Sequence, residues 1–281
     1  MPLSPRLSPG DRATDVAAAD LNAALRDPAI RVIRVAADHR ALDDLDVEAV
    51  TADPKPILGA GGTTFVHLEL WRRCGLVAYH GDTVGPLAPE SGWPSAETGG
   101  PLAAESGGSE SGGSETCGSE TCGSETCGTE TGQAEGPRAT VTRGAETWSS
   151  GRAEGLLLGG DLAAIRSMIG AGLPDLTGAI LLLTGERTLG LGQVDRQLTH
   201  LRRAGILTRV RGVALGHFKG FNGYADRGWT LTDVLADHLR GLPVPVLAGL
   251  PVGPGHPAVP LGTTAVLDAD ERTLKVDAGV G

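Results

Sequence analysis

Sixty residues in the middle of this chain, 88–147, offer almost nothing to a hydrophobic core, and that divides everything else into two parts. The segment is dominated by Gly, Ser, Glu and Thr. Gly-Ser-Glu-Thr-Cys runs three times in tandem (Gly113–Cys117, Gly118–Cys122, Gly123–Cys127), with a degenerate fourth copy from Gly128 to Gly132. So few apolar side chains cannot offset the entropy of ordering a backbone, so the tract is expected to be a disordered linker. A fold must therefore be built from 1–87 and 148–281. Those parts are long enough for real cores. Aromatic residues make up only 3% of the chain against 40% hydrophobic overall, so Leu, Val, Ala and Ile must fill the interior.

The same tract carries most of the charge. Nine Glu between Glu90 and Glu135 account for all but one of the net −10, and no Lys or Arg occurs between Arg73 and Arg138. The remainder is close to neutral and shows no basic stripe, which argues against a nucleic-acid partner. Three of the four cysteines (Cys117, Cys122, Cys127) belong to the repeats and Cys74 stands alone, which is no disulfide framework. Spacing of five residues is also loose for a structural zinc site, so no metal is expected. No apolar run reaches the roughly 18 residues a membrane span needs. Met1 to Pro5 lacks a charged and then apolar leader, so a cytoplasmic location is expected, with no membrane partner.

Chemistry is concentrated at Gly59-Ala60-Gly61-Gly62-Thr63-Thr64. An apolar run (Pro56, Ile57, Leu58) precedes it and a helical pattern (Phe65, Leu68, Trp71) follows, which reads as strand, tight turn, helix N-terminus. A helix start presents backbone N–H groups and a positive dipole end, and hydrolases place a nucleophilic Ser on such turns. Here the tip is Gly61. Around it the pattern alternates: helix from Asp15 to Leu25, strand from Arg31 to Val35, a polar helix with Leu42, Leu45 and Val47, and a strand from Gly75 to Tyr79. That alternation predicts a parallel α/β layer. After Trp148 come an apolar run ending at Asp161-Leu162, a helix from Ala163, and a buried strand over Ala179–Leu183. An amphipathic helix over Val194–Ala204 follows, then a strand over Val210–Leu215, a helix over Thr232–Leu239, and a closing hairpin around Asp268-Ala269-Asp270.

Several of these segments together resemble the LD-carboxypeptidase family of serine peptidases, which includes the microcin-immunity peptidases. The resemblance is carried by Asp53-Pro54-Lys55-Pro56 before the glycine turn, Trp71 through His80-Gly81, and Gly151-Arg152-Ala153-Glu154-Gly155 with Gly159-Gly160-Asp161-Leu162. It continues in Gln193-Val194-Asp195-Arg196-Gln197-Leu198, Gly249-Leu250-Pro251-Val252-Gly253 and Pro260-Leu261-Gly262. It implies an N-terminal parallel α/β layer over 1–87 and a C-terminal mixed α/β domain over 148–281. The first strand–helix–strand unit of the N-terminal layer has no counterpart before Ser8, leaving that layer incomplete. It further implies hydrolysis of an amide joining an L-centre to a D-amino acid in a peptidoglycan-type peptide, by Ser, Glu and His without a cofactor.

Carried over position by position, the family's Gly-aromatic-Ser-Asp pattern falls on Gly59, Ala60, Gly61 and Gly62, so Gly61 marks the missing nucleophile. Thr63 and Thr64 are the nearest hydroxyls and weak substitutes, since Thr at a helix start is more often a cap. The family Glu should end the strand Ile180–Leu183. Thr184 and Gly185 stand there, and Glu186 is the candidate. The family His directly follows Gly253, where this chain has Pro254, and His256 is the candidate. Gly59, Gly62 and His80 are expected to face a ligand, and His217 ends a comparable strand. The family's glycine-rich substrate loop is replaced by Val35-Ala36-Ala37-Asp38-His39-Arg40. Two functions follow: a serine carboxypeptidase by resemblance, or a non-catalytic relative that binds a small peptide, muropeptide or carboxylate ligand. A decayed paralogue is the third reading. A homodimer is left open.

Overall fold

In the computed structural model, which describes residues 2–5, 7, 11–84 and 140–277, the N-terminal part is a sheet with helices packed on it. Its elements in chain order are β1 (Thr14–Ala17), α1 (Leu21–Arg26), β2 (Ile33–Ala36), α2 (Val47–Ala52), β3 (Ile57–Gly59), α3 (Thr64–Cys74) and β4 (Ala78–His80). All four strands pair in parallel, in the order of the chain. The central strand β3 is covered on both faces, so Ile57 and Leu58 are both buried, whereas β2 buries Ile33 and Val35 and leaves Arg34 and Ala36 on a more open face. Leu21, Leu25, Val50, Val66 and Leu70 supply the helical side of that core.

One expectation is corrected here. Asp15 to Leu25 reads as a single helix, yet Thr14–Ala17 is an edge strand paired with β2 from Thr14↔Ile33 to Ala17↔Ala36. The Ala-rich run Ala17-Ala18-Ala19 favours a helix in isolation, but helix propensity is a weak prior beside a row of inter-strand hydrogen bonds. The helix begins only at Leu21.

Lys55 shows how the chain settles a helix end. Its ammonium group, 3% exposed, donates to the carbonyls of Ala24 (3.1 Å), Leu25 (2.8 Å) and Asp27 (2.6 Å), with the Asp53 carboxylate at 3.4 Å. The last carbonyls of α1 have no partner within the helix and carry its negative dipole end, so a cation there satisfies both needs. Pro54 and Pro56 flank it and hold the chain extended into β3.

The second part comprises β5 (Thr140–Arg143), β6 (Glu146–Ser149), β7 (Arg152–Asp161), α4 (Leu162–Met168), β8 (Ile180–Glu186), α5 (Leu191–Arg203) and β9 (Gly212–Lys219). It continues with β10 (Ala225–Asp226), β11 (Trp229–Thr230), α6 (Leu231–Leu239), β12 (Val246–Ala248), β13 (Val259–Leu261), β14 (Thr264–Asp268) and β15 (Thr273–Val276). Eight strands form one sheet in the order β5-β15-β14-β7-β8-β9-β12-β6, in which β7, β8, β9 and β12 run parallel. The hairpin β14–β15 closes around Asp268–Asp270 as its sequence predicts. Leu191, Val194, Leu198 and Leu201 put the apolar stripe of α5 into the core with Leu181, Leu183, Val213 and Leu215.

Residues 140–147, expected in the linker, instead contribute β5 and the start of β6 to this sheet. The repeats and their three cysteines lie outside the described residues. β13 is a further departure from a simple two-part division. It leaves the C-terminal sheet and pairs antiparallel with β4, from Val259↔His80 to Leu261↔Ala78, as the fifth strand of the N-terminal sheet. Among the described residues no helix is long and apolar enough to cross a membrane, and no group of three or more His, Cys, Asp or Glu could hold a metal ion.

Replacing Lys55 by Met keeps the buried stem but leaves three carbonyls unpaired, and should cost about 2–4 kcal/mol of stability. Urea unfolding monitored by circular dichroism measures this, and a loss under about 0.5 kcal/mol would contradict the role given to the ammonium group.

Candidate active site

β3 ends at Gly59, the chain turns through Ala60 and Gly61, and α3 begins at Thr64. Gly61 has φ +57°, the left-handed region that costs a residue with a side chain about 1–2 kcal/mol. Strand, strained turn and helix form a nucleophile elbow in backbone terms. A Cβ built at Gly61 would meet nothing nearer than the Glu186 Oε2, 3.9 Å away. The elbow therefore presents an open position facing a carboxylate.

Gly62 is required by packing, since a Cβ there would sit 2.3 Å from the Ala37 carbonyl oxygen. The segment after β2 is thus pressed onto the elbow. Thr63 fastens it: its hydroxyl donates to the Val35 carbonyl (2.7 Å) and accepts from the Ala37 N–H (3.3 Å). Thr64 accepts the Asp161 backbone N–H at 2.9 Å. Both threonines are fully buried, with their oxygens engaged in backbone contacts.

From the C-terminal sheet, β7 delivers Asp161 and β8 delivers Thr184 and Glu186. Asp161 caps α4 by accepting from the Ala164 N–H at 3.0 Å. Burial holds its carboxyl above the usual range, with the Glu186 charge adding to this and the Ala164 and Ala163 N–H groups opposing it. Thr184 is wholly buried, and its hydroxyl lies 2.9 Å from the His80 Nε2. Glu186, two residues on, projects to the same face of the strand, since alternate residues share a face. Its other oxygen is 3.4 Å from the Lys219 ammonium group. Across from it β9 takes one extra residue between Leu215 and Phe218, a bulge that includes His217.

His256 lies on the loop between β12 and β13. Its N–H donates to the Gly253 carbonyl and its own carbonyl accepts from the Asp82 N–H, both at 3.0 Å. The Asp82 carboxylate accepts from the Gly255 N–H at 2.6 Å, so the loop is clamped to the residues that follow β4. The imidazole meets that of His217 edge-on, with centroids 4.8 Å apart. Partial burial, then His217, lower its pKa, and Asp82 opposes them. Gly81, which packs on the His256 carbonyl, donates to the Gly59 carbonyl at 3.1 Å. Among the expected residues, then, Glu186 comes to Gly61, His256 pairs with His217, and His80 lies in the interior against Thr184. Gly59 and Ala60 border a cavity of about 480 Å³.

Sequence reasoning missed His67. It is fully buried on α3, 6.2 Å from the His80 ring, and neither of its nitrogens has a hydrogen-bond partner in good geometry. The nearby Ile57 backbone favours its charged form only weakly. Burial, with the neighbouring His80, pushes the His67 pKa down to about 3, and burial alone pushes His80 to about 4. A His between apolar Val66 and Leu68 was the available signal.

The strand–elbow–helix at the carboxyl end of the central strand of one sheet faces a carboxylate delivered by a second. Residues 10–81 match the LD-carboxypeptidase N-terminal domain and residues 154–267 its C-terminal domain. A Streptomyces coelicolor protein with a provisional carboxypeptidase name is 33% identical over 272 residues, covering 92% of this chain and 76% of its own length. A Bacillus subtilis protein provisionally named a murein peptide carboxypeptidase is 26% identical over 269 residues, covering 93% and 76%. In fold, the muramoyltetrapeptide carboxypeptidase of Oxalobacter formigenes superimposes with a TM-score of 0.63 at 20% identity, over 92% of this chain and 81% of its own. The chain belongs to the LD-carboxypeptidase family.

The buried pair makes stability pH-dependent. Both imidazoles have native pKa values below the unfolded value near 6.5, so the unfolded chain binds more protons between them. Their neutral forms support the fold fully above about pH 6.5, and stability falls as pH drops from there toward 4 and then 3. The slope is at most about 1.4 kcal/mol per pH unit for each ring. Urea midpoints at pH 7 and pH 5 should differ, and His67→Leu should reduce that difference. An unchanged difference in the variant would exclude His67 as a contributor.

Proposed function

We propose that this chain binds an L,D-linked peptide of the peptidoglycan type at the elbow and does not hydrolyse it. One observation carries this reading: residue 61 keeps the left-handed backbone of a nucleophile elbow, opens toward Glu186, and has no side chain. Catalysis by this architecture needs a hydroxyl at that point, within attacking distance of the amide carbonyl. The neighbouring hydroxyls of Thr63 and Thr64 are buried and engaged with backbone groups, so neither supplies it. At the end of β8, where the resemblance places the family's Glu, stand Thr184 and Gly185, and the Thr184 hydroxyl meets His80. Losing the Ser of such a unit costs about six orders of magnitude in turnover. What the site retains is suited to binding: a helix start aimed at the turn, a neighbouring cavity, and Glu186 at the open position.

The test combines binding and turnover. Calorimetric titration with an L,D-linked tetrapeptide should detect binding, while D-alanine release by the unmodified protein should stay at the level of buffer. Gly61→Ser supplies the oxygen at a stability cost of about 1–2 kcal/mol for its left-handed backbone. Release that appears only in this variant would assign the deficit to one atom. Release by the unmodified protein, or absence of binding, would overturn the proposal.

A further inference from the structure

The cavity of about 480 Å³ beside the elbow lies at the carboxyl edge of the parallel strands β1, β2 and β3. Ligands of open parallel sheets bind at such edges. Gly59 and Ala60, which lead into Gly61, form one side of it, and Asp15, Arg34 and Asp82 supply its charge. Val16, Ala17, Val35 and Ala36 complete the lining with small or modest apolar side chains, which leaves room for the terminal residue of a peptide.

Arg34 is the feature that gives this cavity a ligand class. Its Nε and Nη2 donate to the two oxygens of Asp15 at 2.5 and 2.7 Å, and its Nη1 to the Asp82 carbonyl at 3.3 Å. A guanidinium has five N–H donors in a rigid fork, so two remain without a partner among the described residues. The three contacts fix the plane of the group in advance, which lowers the ordering cost of a further bidentate contact. Hydrogen bonding to Asp15 holds Arg34 more strongly protonated than usual, and the same contact keeps the Asp15 carboxyl below its usual range. The Asp82 carboxylate is engaged with the Gly255 N–H and competes less for the guanidinium. A planar anion matched to that fork is a carboxylate.

We propose that Arg34 anchors the terminal carboxylate of a bound peptide in this cavity, with Asp15 holding the guanidinium in place while attenuating its charge. The inference rests on the peptide-binding reading above and adds which end of the peptide lies beside β2. Asp15 then has an opposite sign of effect from Arg34. Removing the Asp15 charge strengthens the attraction for an anion, whereas removing the Arg34 charge abolishes it.

The experiment compares an L,D-linked tetrapeptide as free acid and as C-terminal amide, by calorimetric titration of the full chain. The unmodified protein should bind the acid at least about tenfold more tightly than the amide. Arg34→Met should bind both equally, Arg34→Lys should keep part of the preference, and Asp15→Asn should widen the preference for the acid over the amide. The acid and amide comparison on the unmodified protein needs no variant to fold. Equal binding of acid and amide overturns the anchor and leaves peptide binding standing, as does a preference that survives in Arg34→Met. Failure of both peptides to bind overturns the two proposals together.

Discussion

The seam between the two sheets depends first on one residue that performs three tasks. Asp161 ends β7, starts α4 by accepting the Ala164 N–H, and gives its own N–H to the Thr64 hydroxyl at the head of α3. All of these groups are buried, where an unpaired amide costs free energy on the order of a lost hydrogen bond. The contact is close enough to dictate its neighbour: a Cβ on Gly160 would lie 2.6 Å from the Thr64 oxygen and 3.2 Å from the His80 ring. The Gly-Gly-Asp end of β7 is therefore what lets the elbow helix dock. His80 and Thr184 extend the same seam by one more hydrogen bond.

That seam explains how this chain keeps the shape of a hydrolase without its chemistry. Thr63 and Thr64 are structural fasteners, one to the segment after β2 and the other to β7. Neither can leave its partner for a substrate without exposing a buried backbone group. Gly59 and Gly62 are held to glycine by backbone oxygens at 2.6 and 2.3 Å from a notional Cβ. Gly61 is different, because space is open there and only its φ disfavours a side chain. The glycines of this turn thus follow from packing at two positions and from backbone conformation at the third.

How much of this was legible depends on the range of the interaction. Local patterns were readable: the α5 stripe of Val194, Leu198 and Leu201, the start of α4 after Asp161, and the β14–β15 hairpin all appear as their residues suggest. Long-range pairing was not. Nothing in Asp15-Val16-Ala17 shows that β2 will recruit it as an edge strand, and Val259-Pro260-Leu261 is too short, with a Pro at its centre, to announce a strand. Within the site, the elbow was visible from its strand, glycine and helix pattern. That Glu186 is the carboxylate nearest the elbow was suggested by the resemblance, which places the family's Glu at the end of this strand. The buried His67 and His80 pair was beyond sequence because the two rings come from different elements and meet only after packing.

The excursion of β13 has a bearing on how the protein reaches its native state. β4 and β13 pair across a separation from His80 to Val259, so the last edge of the first sheet is completed only when most of the chain is present. Closing a longer loop is inexpensive, about 0.6 kcal/mol for each doubling of its length, so the intervening residues add little to the equilibrium cost. Rate is another matter, because contacts this distant in sequence slow folding. Until β13 arrives, β4 presents an unpaired strand edge of buried character, the kind of surface through which chains associate wrongly. The N-terminal sheet is thus completed by a strand that lies near the other end of the chain.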